Sequence, residues 1–313
     1  MSGVKYRALG CVDLPITVPA VTLQWEKRAL MVSGQCLCRA VSFEIAGPLS
    51  APTLCHCSMC RLINGAPGAF TSAPAASYRI RGEESLNWYR ASADAERGFC
   101  RICGSKLFWR EVGGKTLDVC MGSLNQPTGL RLGAHIWARH QGDYYAIGND
   151  SVPRYAESST GAQPIPAEPA PDHGPALTEH EGGCQCGAVR YRVTGRMRDS
   201  VVCHCNQCRR THGHAPGYSK ARIAETSIEG EDAMIWFASS KEAKRGFCAK
   251  CGSSLFWRME DADGMSITAG SLKTPTGLRT ARHIFAADKG DYYEIADGVP
   301  QDPGSMSGNP VTF

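Results

Sequence analysis

Two cysteine patterns in this chain are dense enough to do chemistry. The run Cys55-His56-Cys57-Ser58-Met59-Cys60-Arg61 packs three thiols together, and Cys203-His204-Cys205-Asn206-Gln207-Cys208-Arg209 repeats it. Three soft ligands on one zinc ion leave a fourth position for water or substrate, which distinguishes a catalytic site from a structural one. The second pattern pairs Cys36-Leu37-Cys38 with Cys100-Arg101-Ile102-Cys103-Gly104. On an extended segment residues i and i+2 share a face, and a tight CxxC turn followed by glycine converges its two thiols. These four cysteines predict a closed tetrahedral zinc site, with Cys184, Cys186, Cys248 and Cys251 as its twin. The expected load is about four zinc ions per chain, in two closed sites and two open ones. Ligand type alone also admits iron.

The residues around the three-cysteine runs suggest further roles. His56 and His204 each stand between two ligands, so on an extended segment they should point away from the metal and support it from behind or pack. Arg61 and Arg209 could offset the charge of three thiolates or bind an anionic substrate. After its cluster the second run continues Arg210-Thr211-His212-Gly213-His214, where the first has Leu62-Ile63-Asn64-Gly65-Ala66. His212 and His214 are therefore candidates for proton transfer near neutral pH, or for a fourth ligand that would close the site. As a proton carrier, either histidine would give the second run most of the activity.

What positions these residues is a duplication. Seven cysteines recur at a fixed offset of 148 residues, making fourteen in all, and the same offset carries Leu107-Phe108-Trp109-Arg110 onto Leu255-Phe256-Trp257-Arg258. It also carries Gly122-Ser123-Leu124 onto Gly270-Ser271-Leu272 and Gly142-Asp143-Tyr144-Tyr145 onto Gly290-Asp291-Tyr292-Tyr293. The repeat predicts an N-terminal extension over 1–31, a first domain over 32–150, a linker over 151–180, a second domain over 181–300 and a tail over 301–313. The linker holds Pro153, Pro164, Pro166, Pro169, Pro171 and Pro175, a composition that favours extended chain over a core. Cys11 and Cys120 have no counterparts and are expected to be bystanders, Cys120 within the core.

Within a copy the pattern is that of short strands. Val41, Phe43 and Ile45 alternate with polar residues, as do Val189, Tyr191 and Val193. Further strands are expected over Ser77–Arg81, Lys106–Arg110, Thr116–Met121 and Tyr144–Ile147, with no sustained 3.6-residue periodicity anywhere. The expected fold class is mainly β, as two tandem zinc-binding domains joined by a Pro-rich linker.

Composition narrows the function. Of 313 residues, 42% are hydrophobic and 20% charged, with a net charge of +4 and sixteen cysteines. No run of basic residues marks a nucleic-acid footprint, and no apolar stretch approaches the roughly 18 residues of a membrane span. The first thirty residues lack a signal-peptide core, so the chain reads as cytoplasmic, where thiols stay reduced and bind metal.

Gly34-x-Cys36-x-Cys38, the Cys-His-Cys-x-x-Cys-Arg run, Phe99-Cys100-x-x-Cys103-Gly104-Ser105-x-Leu107-Phe108 and Gly122-Ser123-Leu124 together resemble the glutathione-dependent formaldehyde-activating (GFA) family, to which centromere protein V also belongs. The resemblance covers about 115 residues twice. It implies a β-tent-like fold, a structural zinc at each outer quartet and a functional zinc at each inner trio. The activity it implies is that of a carbon–sulfur lyase joining formaldehyde to glutathione, so the expected partner is a small-molecule thiol adduct, or a thiol plus an aldehyde. The alternative it carries is a non-catalytic zinc-stabilised module that recruits a protein or chromatin. Asn125 and Lys273 stand where many relatives have Asp, and Tyr144 and Tyr292 where Trp is frequent, which leaves the substrate open.

Overall fold

The structure, a computed structural model, describes residues 31–306. The expected N-terminal extension, with Cys11, and the end of the tail lie outside the described residues. Each copy has a three-stranded and a seven-stranded sheet. In the first copy the small sheet comprises Met31–Gln35, Ser42–Ala46 and Tyr78–Arg81. The large one runs, in spatial order, Ala134–Ile136, Thr53–Cys55, Gly68–Pro74, Thr116–Cys120, Lys106–Glu111, Ala95–Cys100 and Leu86–Arg90. Only the pairing of Ala134–Ile136 with Thr53–Cys55 is parallel. The second copy repeats both sheets in the same order.

The alternation read from the sequence is the alternation of burial. Val41, Phe43 and Ile45 face a core shared with Leu107, Phe108 and Val119, while Ser42 and Glu44 face outward. Val189, Tyr191 and Val193 do the same against Leu255, Phe256 and Ile267. Two helices escaped the periodicity because each has only seven residues: α1 (Ser58–Asn64) and α2 (Asn206–His212). Under two turns, a 3.6-residue pattern has no room to repeat.

The expected strand over Tyr144–Ile147 is absent. Its alternation reflects burial in the opposite copy and not sheet pairing. Tyr144 lies in the second copy's core, and Tyr292 and Tyr293 lie in the first copy's. Asp143 accepts from the Thr276 N–H at 2.5 Å, and Asp291 accepts from the Thr128 and Gly129 N–H groups at 2.6 and 2.8 Å. The copies thus exchange equivalent segments reciprocally. The knuckles touch as well: a Cβ on Gly104 would sit 2.6 Å from the Phe247 ring and one on Gly252 2.6 Å from Phe99. Both glycines also have positive φ, at 71° and 74°, so two independent constraints hold each position to glycine.

The segment after residue 150 docks where an extended linker was expected. Arg154 bridges to both His135 and Ile165, and its guanidinium donates to the Ile147 and Gly148 carbonyls. Among the described residues no helix is long and apolar enough to cross a membrane.

Two of the buried histidines give the fold an acid weakness. Burial holds His212 well below its usual range and His214 down at about 3. Both are neutral when folded, whereas the unfolded chain protonates them near pH 6.5. The unfolded state therefore binds more protons across that window, and stability is lost as pH falls from about 6.5 toward about 3. Denaturant titration at several pH values should show each of His212→Asn and His214→Ala, the residues of the first copy, shallowing the slope by about 1.4 kcal/mol per pH unit. Slopes identical to wild type would disprove this.

Candidate metal centres

The outer quartets converge. Cys36 Sγ lies 3.5 Å from Cys38 Sγ, which lies 3.7 Å from Cys100 Sγ, and all four thiols of each set fall within 4.8 Å of one another. Sulfurs arranged tetrahedrally at 2.3 Å from zinc are about 3.8 Å apart, so the spacing fits. The Cys-x-Cys pair is not on extended chain as expected. It sits in a turn after Gln35, where Arg39 N–H donates to the Cys36 carbonyl and Val41 N–H to Cys36 Sγ. This turn brings the pair toward the knuckle at Cys100–Cys103, and Cys184–Cys186 is built alike.

The inner trios form where a strand end meets a short helix. Thr53–Cys55 delivers Cys55, Cys57 caps α1 by accepting from Cys60 N–H, and Cys60 occupies the first turn. Cys203, Cys205 and Cys208 repeat this at α2. Each trio also lies within 4.8 Å, with no histidine or carboxylate in the set. Cys57 and Cys205 are the half-exposed members. In all four clusters neighbouring thiols crowd one member and burial adds to it: Cys36, Cys55, Cys203 and Cys248 are pushed far above the usual thiol range. Such sets cannot all ionise without a cation, and a divalent metal fits the donors present.

The cation beside each trio is one that the sequence reading missed. Arg97 Nη2 donates to Cys60 Sγ at 3.4 Å and Arg245 Nη2 to Cys208 Sγ at 3.6 Å. Burial works against both charges, yet the cysteines outweigh it and raise both guanidinium pKa values. The available signal was their place before the repeated Gly-Phe-Cys. Arg61 and Arg209 point elsewhere, with Nε donating to the carbonyls of His56 and Asp288.

His56 and His204 face away from the thiols, into two parallel relays. Asp150 accepts from His135 Nε2–H at 2.9 Å, and in the neutral imidazole the bare His135 Nδ1 accepts His56 Nε2–H at 3.0 Å. His56 Nδ1 then accepts the Tyr145 hydroxyl at 2.8 Å. Asp297, His283, His204 and Tyr293 repeat this at 2.9, 2.9 and 2.6 Å. Each relay fixes a loop that carries metal ligands.

Apolar, largely aromatic side chains wall the trios. Phe70, Trp109, Ile136 and Trp137 pack on the first; Tyr218, Trp257, Ile284 and Phe285 on the second. Trp137 and Phe285 hold left-handed backbone, φ 55° and 54°, a conformation that costs a bulky residue about 1–3 kcal/mol. The walls differ at one position. Tyr218 donates to His212 Nε2 at 2.6 Å and accepts from Arg245 Nη1 at 3.2 Å, while Phe70 has no hydroxyl. The Asn64 carbonyl fixes this tautomer by accepting His212 Nδ1–H at 2.5 Å. His212 therefore reaches the second trio only through Tyr218, with both ring nitrogens engaged. His214 is turned away toward Tyr292, which it meets through Nδ1 at 2.7 Å.

A mainly β chain, duplicated, with one thiol quartet and one thiol trio per copy defines a tandem protein whose cysteine clusters could hold metal ions. Residues 31–140 and 179–288 each match the model of the glutathione-dependent formaldehyde-activating enzyme family, and the chain belongs to that family. An uncharacterized lyase of Schizosaccharomyces pombe is 32% identical over 122 residues, 39% of this chain and 88% of the relative. A crystal structure of a Rhodobacter sphaeroides protein is 23% identical, covering 30% of this chain and 88% of its own, with a TM-score of 0.27.

Proposed function

We propose that this protein is a zinc-dependent carbon–sulfur lyase that forms or cleaves the C–S bond of a small thiol adduct of the S-hydroxymethylglutathione kind. One observation carries the reading: three converging thiols, with no fourth protein ligand among the described residues, stand against a largely aromatic wall. Membership of the family and the lyase name of the fungal relative support the class. Zinc bound by Cys55, Cys57 and Cys60, or by Cys203, Cys205 and Cys208, would supply a Lewis acid that holds a substrate sulfur as thiolate.

The protein's own groups do the rest. Arg97 and Arg245 hold Cys60 and Cys208 in place and offset thiolate charge. The aromatic walls exclude water from the organic part of the adduct. In the cleavage direction the C–S bond breaks, sulfur leaves with the electron pair, and the adduct hydroxyl gives up its proton as the carbonyl forms. That proton passes to solvent at the half-exposed Cys57 or Cys205 edge. In the second copy Tyr218, backed by His212, offers an oxygen beside the same atoms. His214, Arg61 and Arg209 have no contact that brings them to the reacting centre.

Elemental analysis of the reduced protein is expected to give about four zinc ions per chain, falling to about two in the Cys57→Ser/Cys205→Ser double variant. The double variant should also lose C–S cleavage of hydroxymethyl-thiol adducts by on the order of 100-fold. Full turnover in the double variant would overturn the proposal.

A further inference from the structure

Between the copies lies a cavity of about 120 Å³ that no cysteine lines. Leu54, Leu132, Ile147, Val202, Ala215 and Ile295 make much of its wall apolar. Its polar side chains are the two relays, together with Tyr144, His214, Thr280 and Glu294. Because Asp150 and Asp297 set the direction of the relays, the Tyr145 and Tyr293 hydroxyl protons are already given to His56 and His204. Their oxygens retain lone pairs and can only accept.

Tyr144 is different. It is 2% exposed, and its hydroxyl proton has no acceptor; the nearby Arg61 guanidinium can only donate to its oxygen. Its twin Tyr292 is satisfied by His214, but the residue in the first copy equivalent to His214 is Ala66. A buried hydroxyl left without a partner costs about 1–3 kcal/mol, so the first copy carries a donor in need of an acceptor. The Tyr144 and Tyr145 rings lie 4.9 Å apart, which places this donor beside an acceptor on one wall.

These groups specify a ligand. All three carboxylates on the wall are paired, Asp150 and Asp297 with histidines and Glu294 with Lys289, so a cationic guest would find no free counter-charge, and the acceptor-only Tyr145 and Tyr293 oxygens offer an anion no donor. One water needs about 10–15 Å³ by the same measure, so there is room for about eight to twelve heavy atoms. We propose that this cavity is a second binding site, separate from the cysteine centres, for a short-chain neutral alcohol. Its oxygen accepts from Tyr144 and its hydroxyl donates to the Tyr145 or Tyr293 oxygen, while its carbon chain lies against the aliphatic wall. The site does not depend on the lyase reading, because no metal ligand contributes to it.

The test is a ¹⁹F NMR titration of the full, metal-loaded chain with 2,2,2-trifluoroethanol. A saturable shift is expected in the wild type and its loss in Ala215→Leu, which fills the cavity. Tyr144→Phe removes the donor and Ala66→His supplies it with an internal partner; each should weaken binding about 5–10-fold. Zinc content and circular dichroism report whether each variant is folded, and Tyr144→Phe, which is nearly isosteric, carries the test if Ala215→Leu does not fold. A shift that is linear in probe, or a saturable one unchanged in both Tyr144→Phe and Ala66→His, would overturn the site.

Discussion

Cys103→Ser and Cys251→Ser are expected to abolish soluble expression or lower the melting temperature by more than about 10 °C, whereas Cys57→Ser and Cys205→Ser should melt near wild type. The outer thiols come from two sheets that otherwise meet through their shared apolar core. Cys36 and Cys38 sit in a turn at the edge of the small sheet, and Cys100 and Cys103 at the end of a strand in the large one. A metal there ties the two sheets together, and apparent binding energies of about 10–16 kcal/mol rival the whole stability of a domain. The inner thiols are already placed by main-chain bonds. His56 N–H donates to the Ile136 carbonyl, Arg61 N–H to that of Cys57 and Gly65 N–H to that of Arg61. Soluble yield, thermal melting and zinc content decide the matter, and equal destabilisation by both classes would erase the division between structural and functional sites.

Gly122→Ala is expected to cost about 3 kcal/mol or more, although Gly122 is neither a ligand nor in a strand. A Cβ there would lie 2.1 Å from the Arg209 carbonyl oxygen and 2.7 Å from the Gly213 carbonyl carbon. Both neighbours are backbone at the end of α2, and Gly122 N–H donates to the Gly213 carbonyl at 2.8 Å. The added methyl must therefore push α2 away, and α2 carries Cys208 and is capped by Cys205. A change in the first copy should thus loosen metal at the second copy's trio. Gly270→Ala should do the reverse, its Cβ falling 2.5 Å from the Arg61 carbonyl oxygen. Gly304→Ala, with nothing within 4 Å, is the control. The proposal fails if Gly122→Ala matches it in melting temperature and zinc content.

The cysteines made the sites legible because ligand spacing is written locally. Cys100-x-x-Cys103-Gly104 specifies its own turn, and the 148-residue offset shows which pairs belong together. The strands over Ser42–Ala46 and Arg190–Val193 were legible for the same reason, since alternation and burial share a period of two. What escaped was contact between the copies. Tyr144-Tyr145 gives the same alternating signal whether its partner is a strand or the other copy's core. Arg97 was hidden because nothing local marks an arginine that reaches a thiol 37 residues away. His212 looked available for chemistry because its two partners, Tyr218 and the Asn64 carbonyl, are visible only in three dimensions.

The exchange of Tyr144 for Tyr292 and Tyr293 also bears on how the protein is made. A ribosome adds roughly 5–20 residues per second, so the first copy waits roughly 7–30 s after its own last residue for Tyr292 and Tyr293 to emerge. During that interval a slot in the first copy's core is open. The equivalent segment of the same chain, around Tyr144, is already available, as is the corresponding segment of any neighbouring nascent chain. Crowded polysomes would then favour exchange between chains over exchange within one, giving linked oligomers built from the same contacts as the exchange within one chain. Slower synthesis of the second copy would lengthen that exposure, and lower expression temperature together with sparse ribosome loading should reduce it.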